Sequence, residues 1–315
     1  MDEAIANGAV GCTTNPVIVC KGINSDPDFW RPYLKSAEGL TGDEKTIEII
    51  RCVTVKIAEK FLPIYEATNG AHGYVCAQVN PKKQGDSEAM IEMGRRLASW
   101  APNVAVKIPG TAAGLRALEE LTAEGITTVG TVSFTAPQAV AIAAAQQRGL
   151  ERCRAAGKKP GAVFSVIMVG RLDDYLRDIA KDMQLDIPES ALTSAGTAAI
   201  KKAYRECKAR GYEAKLMPAA MRGTYHATLL SGSNMTFSLA GNIIAALENE
   251  KDFAPHIDED VAAEAIEQLN KIPEFVRAYN FEALPEAEFI RFGATQRTLS
   301  QFVEMGWSSI ANFKL

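Results

Sequence analysis

The sequence predicts an α/β fold built on a parallel sheet, and a closed barrel rather than an open nucleotide-binding sheet. Three observations carry this. Short apolar runs alternate with amphipathic stretches over most of the 315 residues, the pattern of repeated βαβ units. Neither a G-x-G-x-x-G after the first strand nor a Walker lysine motif occurs, which disfavours the open dinucleotide and P-loop sheets. Polar residues gather at the C-terminal ends of the strands, where a barrel assembles its site.

The predicted strands are Ala9–Thr14, Gly73–Val79, Asn103–Ile108, Thr127–Phe134, Ala162–Val169, Ala214–Pro218 and Asn234–Leu239. Their β-branched, two-sided apolar character fits burial on both faces. Helices are expected over Thr46–Ala67, Ser87–Ser99, Ala113–Glu124, Ala136–Ala156, Leu172–Asp182, Ser190–Arg210 and Met221–Leu230. Right-handed crossovers then permit an open doubly wound sheet or a barrel. Seven βα units are visible where an eight-stranded barrel needs eight. Asp2–Asn7 reads as a helical scrap, so the first strand is expected to be missing or replaced. Residues 1–251 form the expected barrel. Residues 252–315 change character, with helical patterns at Val261–Lys271, Ile272–Arg277, Pro285–Phe292 and Thr295–Met305. This extension is expected to pack on the barrel or to mediate association.

Composition excludes several classes. The chain is 47% hydrophobic and 23% charged with net charge −4, which gives no electrostatic reason to expect nucleic acid or an anionic membrane. No apolar stretch reaches membrane-spanning length, and the start lacks a signal-peptide pattern; a cytoplasmic location is expected. The six cysteines show no C-x-x-C spacing and read as reduced, buried thiols. The three histidines share no metal-ligand spacing, so no metal is expected.

Lys107, in Asn103-Val104-Ala105-Val106-Lys107-Ile108-Pro109, is the most informative residue. A lysine is rarely buried without a partner or a chemical task, because desolvating an ammonium is costly. A buried amine driven neutral is a nucleophile toward carbonyls. A lysine at a strand end can equally snorkel to solvent, and this strand alone does not decide between the two. Around it, other strands end in Thr13-Thr14-Asn15-Pro16, Gln78, Thr131 with Ser133, Gly170-Arg171 and, through Pro218, Arg222. Each has a bland reading: Thr14 and Asn15 before Pro16 can initiate a turn, Gln78 can cap a strand, and either arginine can pair at the surface. Their convergence at one end is harder to dismiss.

Thr13-Thr14-Asn15-Pro16, Val106-Lys107-Ile108-Pro109 followed by Gly114-Leu115, Glu124-Gly125-Ile126 and Val169-Gly170-Arg171-Leu172-Asp173-Asp174 resemble the signature blocks of the transaldolase family. That family includes the fructose 6-phosphate aldolases. The likeness runs from about Gly8 to Leu239 and is weaker after Phe253. It implies a TIM-type (β/α)8 barrel and Schiff-base chemistry at Lys107 without metal or organic cofactor. Phosphorylated ketoses and aldoses are the implied substrates, and self-association is left open. Asn15 matches the asparagine that bonds the dihydroxyacetone end, with Thr14 beside it. Thr131 matches a threonine that holds the catalytic water. Gln78 falls where transaldolases carry a glutamate and the aldolases a glutamine. Arg171 and Arg222 match phosphate-binding positions.

The departures bear on function. The family's first-strand aspartate has no counterpart, and Asp2 lies too close to Asn15 to serve. Val129 stands for an asparagine, Val166 for a serine, Ala220 for a serine and Met168 for an aromatic residue. A neutral Gln78 can position a water but not take a proton as a carboxylate does. Transaldolase-type transfer is the leading expectation; an aldolase using the same lysine and a catalytically impaired sugar-phosphate-binding protein are the alternatives. Ser133, Ser165, Cys12 and Cys76 are read as packing residues, His226 as a surface histidine, and Asp173 and Asp174 as helix-capping acids.

Overall fold

Six parallel strands form one sheet in strictly sequential order: β1 Gly11–Cys12, β2 Tyr74–Gln78, β3 Val104–Pro109, β4 Thr128–Thr131, β5 Val163–Ile167 and β6 Lys215–Pro218. This computed structural model describes residues 1–251 and 254–314. The expected junction at Asp252 and the terminal Leu315 lie outside the described residues.

Each strand hands the chain to a helix whose start is written locally. Asn15 accepts a hydrogen bond from the Ile18 amide and Pro16 supplies the first turn of α1, Pro16–Ser25. The long α2, Gly42–Ala67, leads into β2. Asp86 caps α3, Ser87–Ala98; Thr111 caps α4, Ala112–Ala123; and Thr135 caps α5, Ala136–Ala155. After β5 comes α6, Val169–Asp182, and the predicted helix over Ser190–Arg210 breaks into Glu189–Leu192 and α7, Ala195–Ala209. Only Tyr225–Thr228 is helical within the predicted Met221–Leu230.

The helices cover the outer face of the sheet, so every residue of β3, β4 and β5 is buried. Register assigns the inner face. Gln78 pairs with Lys107, Lys107 with Val129, and Val129 with Phe164, so these four side chains share one face. The rings of Tyr74 and Phe164, from β2 and β5, meet edge-on at 6.2 Å across that face, which places it inside the curl. The opposite parity points outward: Ser165 donates to the Ala139 carbonyl of α5.

The predicted seventh strand is not one. Asn234–Leu239 runs beside β6, with the amides of Thr236 and Ser238 donating to the carbonyls of Leu216 and Pro218. The return bond of a parallel ladder would come from the amide of residue 218. Proline has none, so the ladder stays one-sided. The curl nevertheless brings the sheet's two edges together: the hydroxyls of Thr13, just after β1, and Ser238 hydrogen-bond at 2.7 Å. The sheet is thus a half-barrel of six strands with a seventh segment alongside, in the style of a TIM barrel.

Near the C-terminus, α8 spans Gly293–Gln301 and continues as a π-helical turn, Phe302–Trp307. Gly306 lies directly against the start of α1, where a Cβ would come within 2.6 Å of Pro16 and 2.7 Å of the Val17 nitrogen. Only a glycine permits that approach. The Trp307 indole donates to Asp43, which also receives Asn80 and Lys82 from the loop after β2. This segment therefore roofs the strands' C-terminal end. Among the described residues, no helix is long and apolar enough to cross a membrane.

Candidate active site

Lys107 points into the curl and is 8% exposed. Its amine donates to the Thr14 carbonyl at 3.2 Å. The Thr14 hydroxyl donates to the Cys76 carbonyl at 2.7 Å, tying the loop after β1 to β2 and holding that acceptor over the lysine. No carboxylate accompanies the amine among the described hydrogen bonds and ion pairs. Burial accordingly pushes its pKa below the ordinary lysine value of 10.5, with the Cys76 and Cys12 thiols opposing weakly. Snorkelling is excluded: the ammonium end itself is enclosed.

Gln78 stands beside Lys107 in register and is 2% exposed. Both its amide oxygen and its amide nitrogen are buried without a hydrogen-bond partner. Buried amides are nearly always satisfied, so such a pair aimed into an interior marks a place for a ligand or water. Thr131 is the next inward residue after Val129 on β4, buried and level with Pro109. Immediately after it, Val132 holds a φ of 51°, a costly conformation for a β-branched residue. Strain of this kind collects where function over-determines the backbone. Ala220, two residues before Arg222, shows the same sign at 55°.

Asn15 follows the Thr14 carbonyl directly. Its side-chain oxygen is spent on capping α1, which leaves the amide NH2 as its free donor group. Thr14, Gln78, Lys107 and Thr131 thus come together on neighbouring strand ends, with Asn15 at their edge.

The arginines form a second group. Arg171 opens α6 and is half-buried. One guanidinium nitrogen, Nη1, donates to Thr298 at 3.1 Å and to Gln301 at 2.7 Å, both on α8. Burial, and then the neighbouring Arg222, lower its pKa. Arg222 is more open; it grips Asp174 at 2.8 Å through Nε and at 2.7 Å through Nη2, and donates from Nη1 to the Ala220 carbonyl. The two segments touch at Gly170, where a Cβ would sit 2.4 Å from the Ala220 oxygen and 2.7 Å from Arg222 Cγ. Gly170→Ala is therefore expected to force the Arg222 loop outward and to cost about 1–3 kcal/mol by overpacking. Urea unfolding of the variant checks this; an unchanged midpoint would mean the two segments are not locked together.

Sequence reasoning misjudged the residues that hold this loop. Asp173 is not a capping acid and His226 is not at the surface; both are fully buried and bonded, His226 Nε2 to Asp173 Oδ2, at 2.8 Å. The Arg222 amide donates to Nδ1 at 3.2 Å, so the ring proton sits on Nε2 and is donated to the carboxylate. The other Asp173 oxygen accepts from the Gly196 amide of α7. Burial raises the Asp173 pKa, and the histidine bond opposes that. Asp174 pairs with Arg177 and Arg222 instead of capping; Met168 occupies the N-cap of α6. The four-residue spacing from Arg222 to His226 was the available signal. Ser133 and Ser165 are structural as expected, donating to the Val166 and Ala139 carbonyls.

A cavity of about 710 Å³ lies at the other end of the strands, lined by Tyr65, Tyr74, Thr127, Phe164 and Lys215 among others. It does not include Lys107 or any residue of the group around it.

A family model described as Transaldolase/Fructose-6-phosphate aldolase matches residues 1–288. Transaldolase 1 of Streptomyces avermitilis is 35% identical over 222 residues, 67% of this chain and 58% of that protein. A transaldolase of Thermobifida fusca is 31% identical over 211 residues, covering 64% and 55%. One of Thiobacillus denitrificans is 28% identical over 280 residues, covering 81% and 78%. The chain spans little more than half the length of the first two.

Proposed function

The chain belongs to the transaldolase/fructose-6-phosphate aldolase family, and from that premise we propose that it carries out transaldolase-type chemistry on sugar phosphates through a Schiff base at Lys107. The observation that carries this reading is a buried amine with a lowered pKa beside an unpartnered amide, Gln78. The neutral amine adds to the C2 carbonyl of a ketose, and loss of water gives an iminium ion. The C4 hydroxyl then gives up its proton as the C3–C4 bond breaks; the aldehyde leaves and the bonding pair passes to the enamine. In transfer, the enamine carbon bonds to an acceptor aldehyde whose oxygen takes a proton, and water hydrolyses the new iminium to free Lys107.

In this scheme Gln78 and Thr131 hold the water that carries protons, since an amide cannot itself act as the base. Asn15 and the Thr14 backbone border the donor end. Arg171 and Arg222 take the phosphate, a task suited to the guanidinium fork. A neutral residue at Gln78 also favours a second reading, aldol cleavage in which the enamine is protonated and released.

Borohydride reduction with fructose 6-phosphate tests the core of the proposal. A stable adduct mapped to Lys107 is expected. Turnover that requires an added aldehyde identifies a transferase, and turnover without one a lyase. Sugar-phosphate binding with no adduct would leave a binding protein and sink the Schiff-base reading.

A further inference from the structure

Arg222 is held from both ends by consecutive carboxylates of α6. Asp174 grips its guanidinium, at 2.8 Å through Nε and 2.7 Å through Nη2. Asp173 acts on its main chain through a third residue. Asp173 Oδ2 accepts from His226 Nε2 at 2.8 Å, and His226 Nδ1 accepts from the Arg222 amide at 3.2 Å. The remaining oxygen, Asp173 Oδ1, takes the Gly196 amide of α7 at 2.8 Å, so the relay starts from a helix. Asp173 and His226 are both 0% exposed, and the Tyr225 ring covers the imidazole at 4.2 Å between centroids.

Stability is a poor explanation for this pair. A buried carboxylate–imidazole couple gives up the hydration of both groups, and apolar side chains of similar volume commonly hold a fold together as well. What an apolar pair lacks is an acceptor aimed at one chosen backbone amide. That amide lies in a loop under strain: Ala220, two residues earlier, is held at a φ of 55°, a conformation that persists only where the surroundings impose it.

We propose that His226, oriented by Asp173, is a positioning residue for the substrate phosphate, fixing the Arg222 main chain so that the guanidinium meets the anion in one direction. This rests on the phosphate reading of Arg222 above. Asp174 ties the tip of a flexible side chain and the imidazole ties its root; together they define where the fork points. By reciprocity, a phosphate bound at the guanidinium strengthens the bond between amide and imidazole.

Two isosteres separate the roles of the two ring nitrogens. A glutamine carboxamide reaches the Nε2 position, an asparagine carboxamide only the Nδ1 position. His226→Gln therefore keeps the donor to Asp173 and loses the acceptor for Arg222, and His226→Asn does the reverse. KM is measured for fructose 6-phosphate and for fructose, alongside urea unfolding. His226→Gln is expected to raise KM for fructose 6-phosphate about tenfold with kcat nearly kept, and to leave KM for fructose within about twofold. His226→Asn is expected to be the less stable variant, since Asp173 loses its partner, yet to stay nearer the parent KM. A merely structural pair gives the opposite order, with KM following stability, and that order overturns the proposal. Adding Arg222→Ala to His226→Gln should raise KM no further than Arg222→Ala alone; additive losses overturn it, because His226 would then not act through Arg222. Amide hydrogen exchange of the parent covers the case in which neither isostere folds. Saturating fructose 6-phosphate should slow exchange at Arg222, and exchange indifferent to the bound sugar phosphate overturns the proposal. A parent with equal KM for fructose and fructose 6-phosphate removes the phosphate reading itself, and leaves the Schiff base standing.

Discussion

Lys107→Met is expected to abolish borohydride trapping and all turnover while giving a protein that melts higher than the parent. The first half follows from chemistry, since no other described lysine is both enclosed and in register with Gln78. Loss of a covalent nucleophile typically removes several orders of magnitude of rate. The second half follows from burial. Methionine matches the lysine stem in length, and the apolar surroundings of Val129 and Ala105 suit a thioether better than an amine whose only acceptor among the described residues is the Thr14 carbonyl.

The sign of the pH dependence is fixed by the same residue. The folded-state pKa of Lys107 lies below the 10.5 of an exposed lysine, so the unfolded chain binds the proton more readily. The destabilisation is absent above pH 10.5, grows as the pH falls beneath it, and levels off once the folded protein is protonated too. The stability advantage of Lys107→Met should therefore widen as the pH is lowered from 10.5. Thermal melts of parent and variant across that range provide the measurement, at roughly 2–4 °C per kcal/mol for a chain of this class. A gap that narrows toward low pH would contradict a desolvated amine. The rate of trapping should follow the same titration, failing as the amine becomes charged.

How much of this was legible in the sequence depends on how local the cause is. The strand around Lys107 and the inward parity of Gln78 follow from two-residue alternation and parallel register, which neighbouring residues dictate. The start of α1 was hidden because Asn-Pro signals a turn and a capped helix equally well, and only the helical continuation through Ser25 separates them. The Asn234–Leu239 segment has strand composition, yet its pairing fails on a missing amide in another element, Pro218. The hold of Gln301 on Arg171 spans 130 residues of chain and that of Asp173 on His226 spans 53. No periodicity encodes contacts of that kind. Asp173, read as a helix cap, and His226, read as a surface histidine, are both buried because each satisfies the other, a pairing that the fold creates.

That distant contact sets the ranking of the two arginines. Both were expected to bind phosphate, but their guanidinium groups are committed to different degrees. Arg222 already uses Nε, Nη1 and Nη2 on Asp174 and Ala220, so a phosphate must share or displace the Asp174 carboxylate. Arg171 uses only Nη1, on neutral partners, and keeps its Nε and Nη2 edge for an incoming anion. Its partial burial also strengthens any charge-assisted bond it makes. Arg171→Ala should accordingly raise KM for phosphorylated substrates by about 100-fold, from loss of roughly 2–3 kcal/mol of charged hydrogen bonding. Arg222→Ala should raise it less, and Asp174→Asn should lower it by freeing Arg222. Kinetics with phosphorylated and unphosphorylated forms of one sugar decide the matter, because the unphosphorylated form should be nearly indifferent to all three changes. Equal losses on both forms would remove the phosphate role, and a larger effect at Arg222 would show that Asp174 yields easily to substrate.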